Sequence, residues 1–115
     1  MSVREAILTR QDFAKEIVDV DGQNVEVRQP SLRIRSDVNR RAASVRKDGS
    51  FDIDVLAMGL WLVIECCYDV ETGEKVFSEA DYDELAGLPS GGIIDNLIGV
   101  ASQLSNLDVE SKKNK

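Results

Sequence analysis

Two cysteines that are adjacent in the sequence could carry redox chemistry or bind a metal ion. Cys66 and Cys67 are its only cysteines, and the chain has no histidine. Neighbouring cysteines bridge each other poorly because their side chains diverge, and a structural zinc site needs further sulfur or nitrogen ligands. We therefore expect two small buried residues in a reducing compartment, with no disulfide, no metal and no cofactor.

Acidic residues cluster at Asp81, Asp83 and Glu84, but their spacing is not that of a calcium loop. Carboxylates at such spacing are typical of the first turn of a helix, where they face the positive end of the helix dipole. Catalytic patterns are also missing, because the chain lacks histidine, the most common general base, and has no recognisable phosphate-binding loop. We expect a protein that is not an enzyme.

Basic residues concentrate in segment 28–47, whereas acidic residues concentrate in 48–95. The candidate partner-binding side chains of the basic segment are Arg33, Arg40 and Arg41. No aromatic residue interleaves with them, so the segment offers no stacking platform for bases. The net charge of −7 also opposes attraction to phosphates. We expect a solvated face, or a complement to the acidic half of another copy in a homo-oligomer. A small nucleic-acid-associated or regulatory protein that uses this segment is the alternative.

Turn signals and apolar spacing predict the elements that position these residues. Asp21-Gly22 joins two alternating stretches and predicts a β-hairpin of about 14–20 and 23–29. The capping residues Ser2 and Glu5 predict a first helix. The predicted helices are about 2–10, 32–46, 54–68, 78–86 and 91–107. Helix 54–68 is apolar nearly all round, which predicts a central buried helix, and Gly59 indicates close helix packing.

The elements together predict an α+β fold: an N-terminal β-hairpin with a mostly helical remainder, about four to five helices around the central apolar helix 54–68. We expect one domain over 1–108 and a flexible tail at 109–115. The longest apolar run, 55–64, is too short for a bilayer, which needs about 20 residues. The first residues lack the pattern of a signal peptide, so we expect no membrane partner.

The order of the segments resembles the tail assembly chaperones of long-tailed bacteriophages or prophages. The resemblance lies in the apolar stretch DVLAMGLWLVIECCYD and the following YDVETGEKVFSEADYDELAGLPSGGIIDNLIGVASQLSNLD. Members of that family commonly show a D-x-x-T/D-G-x-x-x-F turn after such a helix. An acidic helix, a P/K-S break and a last helix closing in L-S/N-x-L then follow. The resemblance covers nearly the whole chain.

This resemblance implies a chaperone that binds the tape measure protein, keeps it soluble and promotes assembly of the tail tube around it. Such proteins act in the host cytoplasm and are absent from the mature virion. Many also have a longer form made by ribosomal frameshifting, whose extension is thought to recruit the tail tube protein. The C-terminal sequence 112–115, KKNK, fits the A-rich codons of a slippery site, and the nucleotide sequence tests this hypothesis.

A chaperone of a long helical client would hold an amphipathic client helix in an apolar groove, and repeated weak contacts would add through avidity. The candidate groove residues are the exposed members of Leu56, Leu60, Ile94, Leu97 and Ile98. The same residues also fit a core, since they lie on the apolar faces of two predicted helices. The spacing alone does not separate groove from core.

Overall fold

A computed structural model describes residues 2–9 and 12–105 of the chain, and these residues have the predicted α+β class. The helices are α1 (Val3–Thr9), α2 (Leu32–Ala42), α3 (Val55–Cys66), α4 (Tyr82–Ala86, after a 3₁₀ turn at Glu79–Asp81) and α5 (Ile93–Leu104). The strands are β1 (Lys15–Val20), β2 (Gln23–Arg28), β3 (Ala43–Val45), β4 (Phe51–Ile53) and β5 (Cys67–Asp69). The predicted tail 109–115 and the predicted helix end at 106–107 lie outside the described residues.

One antiparallel sheet has the strand order β1-β2-β5. β1 and β2 form a hairpin in which Val18 lies opposite Val25. Its turn residues have positive φ, 51° at Asp21 and 83° at Gly22, as a tight two-residue turn requires. β5 pairs with the other side of β2, with Cys67 opposite Val27. Cys67 therefore lies in the same sheet as the hairpin, whereas Cys66 is the last residue of α3.

The central apolar helix is shorter than the predicted 54–68. α3 ends at Cys66, and the extended Cys67 donates its N–H to the Val63 carbonyl. Cys67–Asp69 then form β5, because the free edge of β2 supplies a hydrogen-bonding partner for this segment. Apolar periodicity does not detect such a tertiary partner, so the prediction placed these residues in the helix.

The basic helix is also shorter than the predicted 32–46. α2 ends at Ala42, and Ala43–Val45 become β3, which pairs antiparallel with β4. Gly49, with φ 89°, lies in the turn between them. The prediction of helix through residue 46 is wrong, because cross-strand pairing with Phe51–Ile53 replaces the last helical turn. This second hairpin forms a separate two-stranded sheet.

The core is built around α3, with two clusters of buried side chains. The larger cluster contains Leu62, Val63 and Cys66 of α3 with Val27, Val38, Cys67, Leu97, Val100 and Ala101. The smaller contains Leu60 and Ile64 with Leu85. A Cβ added at Gly59 would lie 3.0 Å from Ile98 Cγ2, which confirms close helix packing at this glycine. Within residues 2–9 and 12–105, every helix is too short or too polar to cross a membrane.

Candidate functional site

The five apolar residues predicted to line a groove do not form one surface. Leu60 is 1% exposed and Leu97 2% exposed, so both belong to the core and the groove interpretation is wrong for them. Ile94 and Ile98 are half-buried and pack against both core clusters. Leu56 alone of the five is largely exposed, at 53%. The predicted helices α3 and α5 therefore use these residues mainly to hold the fold together.

An apolar groove lies elsewhere, between α1, the segment before β1, and the start of α2. It has a volume of about 900 Å³. Its apolar lining consists of Ile7, Leu8, Phe13, Pro30 and Leu32. Arg33, Arg35 and Asp12 contribute charge to the lining, and Ser105 at the end of α5 contributes a polar group. We call this the α1–α2 groove.

Local hydrogen bonds hold one wall of the α1–α2 groove. The Gln29 N–H donates to the Ala14 carbonyl at 2.8 Å, and the Ala14 N–H donates to Gln29 Oε1 at 2.9 Å. These bonds close the open end of the β1–β2 hairpin, so Phe13 and Pro30 are held on the same side of the groove. Their neighbour Ser31 caps α2, since its Oγ accepts from the Ile34 N–H at 3.1 Å.

A second contact, between two residues of the groove lining, ties α2 to the end of α5. Arg35 Nη1 donates to the Ser105 carbonyl oxygen at 3.3 Å. This bond satisfies a carbonyl at a helix C-terminus, where backbone acceptors lack partners within the helix. Arg35 therefore has a structural role, whereas Arg33 is exposed in the groove lining. The groove has a positively charged rim at the first turn of α2.

The apolar side chains of the groove are exposed rather than buried. The exposed fractions are 57% for Ile7, 61% for Leu8, 61% for Phe13 and 76% for Leu32. α1 contributes no buried residue, and a helix of seven residues has little stability of its own. Contiguous exposed apolar surface of this kind marks an interaction site in soluble proteins.

Sequence reasoning missed the α1–α2 groove although a signal was present. It placed α1 and its cap correctly, since Ser2 Oγ accepts from the Glu5 N–H at 3.1 Å. The spacing of Val3, Ile7 and Leu8 gives α1 an apolar face. A helix this short with an apolar face needs a partner, and that requirement could have pointed to this surface before the structure was known.

The structure separates the three arginines proposed as partner-binding residues. Arg33 lies in the groove lining. Arg40 Nη2 pairs with Asp37 Oδ1 at 2.7 Å. Arg41 pairs with Asp37 at 3.0 Å and with Glu79 at 2.9 Å. The hydrogen bond from Arg40 and the charges of both arginines lower the pKa of Asp37. Arg40 and Arg41 are thus compensated by acids, which weakens the nucleic-acid alternative.

Arg41 also packs against the core. Its guanidinium carbon lies 4.5 Å from the centre of the Trp61 ring, a cation–π geometry. The Trp61 ring in turn stacks against Tyr82, with ring centres 4.8 Å apart. Arg41 therefore joins α2, α3 and α4, which is a structural role.

The cysteine pair has the environment of core residues. Cys66 is 1% exposed and Cys67 is fully buried. Burial raises the pKa of each thiol to about 12, so both are neutral at physiological pH and shielded from reagents. Across the described ranges, histidine, cysteine and carboxylate side chains form no group of three suited to a metal ion.

No protein-family model matches this chain, and comparisons with curated proteins and with solved structures found no match. The functional assignment therefore depends on the surface and on the sequence resemblance.

Proposed function

We propose that this protein is a phage tail assembly chaperone that binds an amphipathic helix of the tape measure protein in the α1–α2 groove. The observation that carries the proposal is the groove itself, about 900 Å³ in volume and lined by exposed apolar side chains. Binding would keep the client soluble and promote assembly of the tail tube around it. The sequence resemblance supports the same function.

The chemistry of the α1–α2 groove fits a helical client. An amphipathic helix docks by placing large apolar side chains at successive turns into an apolar groove. Leu8, Phe13 and Leu32 present apolar surface for such anchors. Arg33 at the rim favours a client helix with acidic residues beside its apolar stripe. The client segment is thus expected to be apolar on one face and acidic at its border.

The proposal also includes how several copies of the protein act on one tape measure protein. Several copies of the protein would act together as a homo-oligomer. Several grooves on one long client would raise the overall affinity through effective concentration. The protein would act in the host cytoplasm and leave the tail before the virion matures. A frameshifted longer form would recruit the tail tube protein.

The test is co-expression with the tape measure protein of the same phage, with soluble client and co-purified complex as readouts. Leu32→Glu places a charge in the groove at a residue that is 76% exposed, so the fold should persist. Loss of a buried leucine contact is worth about 2 kcal/mol, or about 30-fold in affinity. We expect the affinity for the client to fall by at least that factor and the yield of co-purified complex to fall with it.

The matched control is Leu88→Glu, which introduces the same charge at a leucine that is 51% exposed and outside the groove lining. This variant should bind the client like the wild type. Equal binding by wild type and Leu32→Glu, with both folded by circular dichroism, would reject the groove. Client that stays insoluble with the wild-type protein would reject the chaperone function.

A further inference from the structure

The described part of the chain ends in the lining of the α1–α2 groove. Ser105, the last described residue, lines the groove and is 2% exposed. Its carbonyl oxygen accepts from Arg35 Nη1 at 3.3 Å. Its N–H donates to the Ala101 carbonyl at 3.0 Å, and its Oγ donates to the Ser102 carbonyl at 2.9 Å. The segment that follows Ser105 in the sequence therefore begins at the groove wall.

The ten residues after Ser105 begin with an alternating pattern. Their sequence is NLDVESKKNK, in which apolar Leu107 and Val109 alternate with Asp108 and Glu110. In an extended segment, successive side chains point to opposite sides, so one side would be apolar and the other acidic. Four extended residues span about 13 Å, which exceeds the rise of about 10 Å along the seven-residue α1. Segment 107–110 is thus long enough to run along the groove.

The α1–α2 groove matches both sides of such a segment. Its apolar lining includes Leu8 and Leu32, each more than half exposed. Arg33 at the rim makes no ion pair with any residue in the described part of the chain. The charged lining comprises Arg33, Arg35 and Asp12, a surplus of one positive charge. This chemistry fits an apolar segment with acids at its border.

We propose that segment 107–110 occupies the α1–α2 groove of its own chain until a client helix displaces it. Leu107 and Val109 lie on the apolar lining, and the two acids of the segment lie at Arg33. Displacement by a client rests on the proposed function, whereas the occupancy itself does not. The occupied groove differs from the flexible tail that the sequence predicts from residue 109, and the experiment decides between the two.

Tethering favours this segment over a second copy as the occupant. Leu107 lies two residues after Ser105 in the sequence, so the segment is present at the groove at a millimolar effective concentration. A second copy reaches that level only at a millimolar protein concentration. A weak contact is therefore enough to fill the groove in the free protein. Occupancy lowers the apparent affinity of every client by the fraction of grooves that stay open, so weak clients are excluded.

Methyl NMR of the full chain, without any client, measures the occupancy. Leu107→Ser/Val109→Ser removes both apolar anchors and should lower the occupancy constant about tenfold. The methyl signals of Ile7 and Leu8 on α1 should shift as a result. Unchanged signals in this variant overturn the proposal, provided that circular dichroism shows both proteins folded. Signals that change on dilution of the wild type place the segment in the groove of another copy and overturn it as well.

The matched control is Lys112→Ser/Asn114→Ser, which changes the same segment beyond the anchors and should leave the α1 methyl signals in place. Charge reversal separates docking from mere proximity to Ser105. Arg33→Glu should shift the α1 signals toward those of the anchor variant, and the added reversal Asp108→Lys/Glu110→Lys should restore them. Failure of the reversal to restore the signals overturns the contact with Arg33.

Client binding distinguishes this inference from the proposed function. The anchor variant Leu107→Ser/Val109→Ser should bind the tape measure protein more tightly than the wild type, by about threefold if the segment fills two thirds of the grooves. Equal binding together with unchanged methyl signals rejects the occupancy and leaves the chaperone function standing. Shifted methyl signals in a protein that binds no client reject the chaperone function and leave the occupancy standing.

Discussion

The continuous segment from Phe51 to Cys66 contains two apolar regions with opposite environments. Every residue from Phe51 to Leu56 is exposed, whereas Leu60, Leu62 and Ile64 are at most 1% exposed. The second region packs against β2, α2, α4 and α5. The first region, residues 51–56, precedes these core residues in the chain and belongs to neither core cluster. Similar side chains thus stabilise the fold in one place and form exposed surface in the other.

This difference shows that apolar composition identifies the residues that favour burial. The tertiary arrangement then determines which of them are buried within the chain. Leu62 is buried within the chain, in one cluster with Val27 and Leu97. Leu56 lies six residues earlier and is 53% exposed. The buried residues of α3 should therefore determine the free energy of unfolding of one chain. The exposed apolar residues, in segment 51–56 and in the α1–α2 groove, should determine association with partners.

The sharpest test of this contrast is a matched pair of leucine truncations. Leu62→Ala removes a fully buried side chain, which should lower the free energy of unfolding by about 2–5 kcal/mol. Leu56→Ala, at 53% exposure, should cost less than about 1 kcal/mol. Urea denaturation of dilute protein measures both. Equal costs would mean that the two regions do not differ as the structure indicates.

The buried thiols provide a second test through alkaline pH. Burial, with a contribution from the charge of Glu65 at Cys66, raises both thiol pKa values from an ordinary 9.0 to about 12. Between these values the native state binds more protons than the unfolded state, so stability falls as pH rises from about 9 to 12. The slope is about 1.4 kcal/mol per pH unit for each thiol.

Urea unfolding at pH 8 and pH 10 measures this loss, and the double variant Cys66→Ala/Cys67→Ala is the control. The variant should lose less stability than the wild type between the two pH values, because it lacks the two buried thiols. Identical losses would show that the thiols ionise as readily in the native protein as in the unfolded chain. Fast alkylation of the native protein at pH 8 would contradict their burial as well.

Local signals in the sequence predicted much of the fold. Asp21-Gly22 located the first hairpin, Ser2 located the cap of α1, and Gly59 located close helix packing. These features depend on residues near one another in the chain. The prediction failed at Ala43 and at Cys67, where a helix gives way to a strand, because the deciding partner in each case comes from another segment.

The candidate site was much less predictable. Apolar spacing selected Leu60 and Leu97, but the same spacing describes a core helix and a binding helix equally well. The α1–α2 groove depends on how Phe13, Leu32 and α1 meet around Pro30, which is a tertiary arrangement. Charge counts likewise selected Arg41 without revealing its acidic partners.

The smallest expected effect separates two neighbouring arginines on α2. The Arg41 side chain is 31% exposed and packs over Trp61, whereas that of Arg40 is 76% exposed and contacts Asp37 in solvent. Exposed ion pairs contribute at most about 1 kcal/mol and often nothing, while a cation–π contact adds about 0.5–1 kcal/mol. Arg41→Ala should therefore destabilise the protein by about 1 kcal/mol and Arg40→Ala by less than half of that, as measured by urea denaturation. Both residues contact Asp37, so a difference between them reports the other two contacts of Arg41, with the Trp61 ring and with Glu79. Equal effects would show that the contacts of Arg41 with Trp61 and Glu79 add no measurable stability.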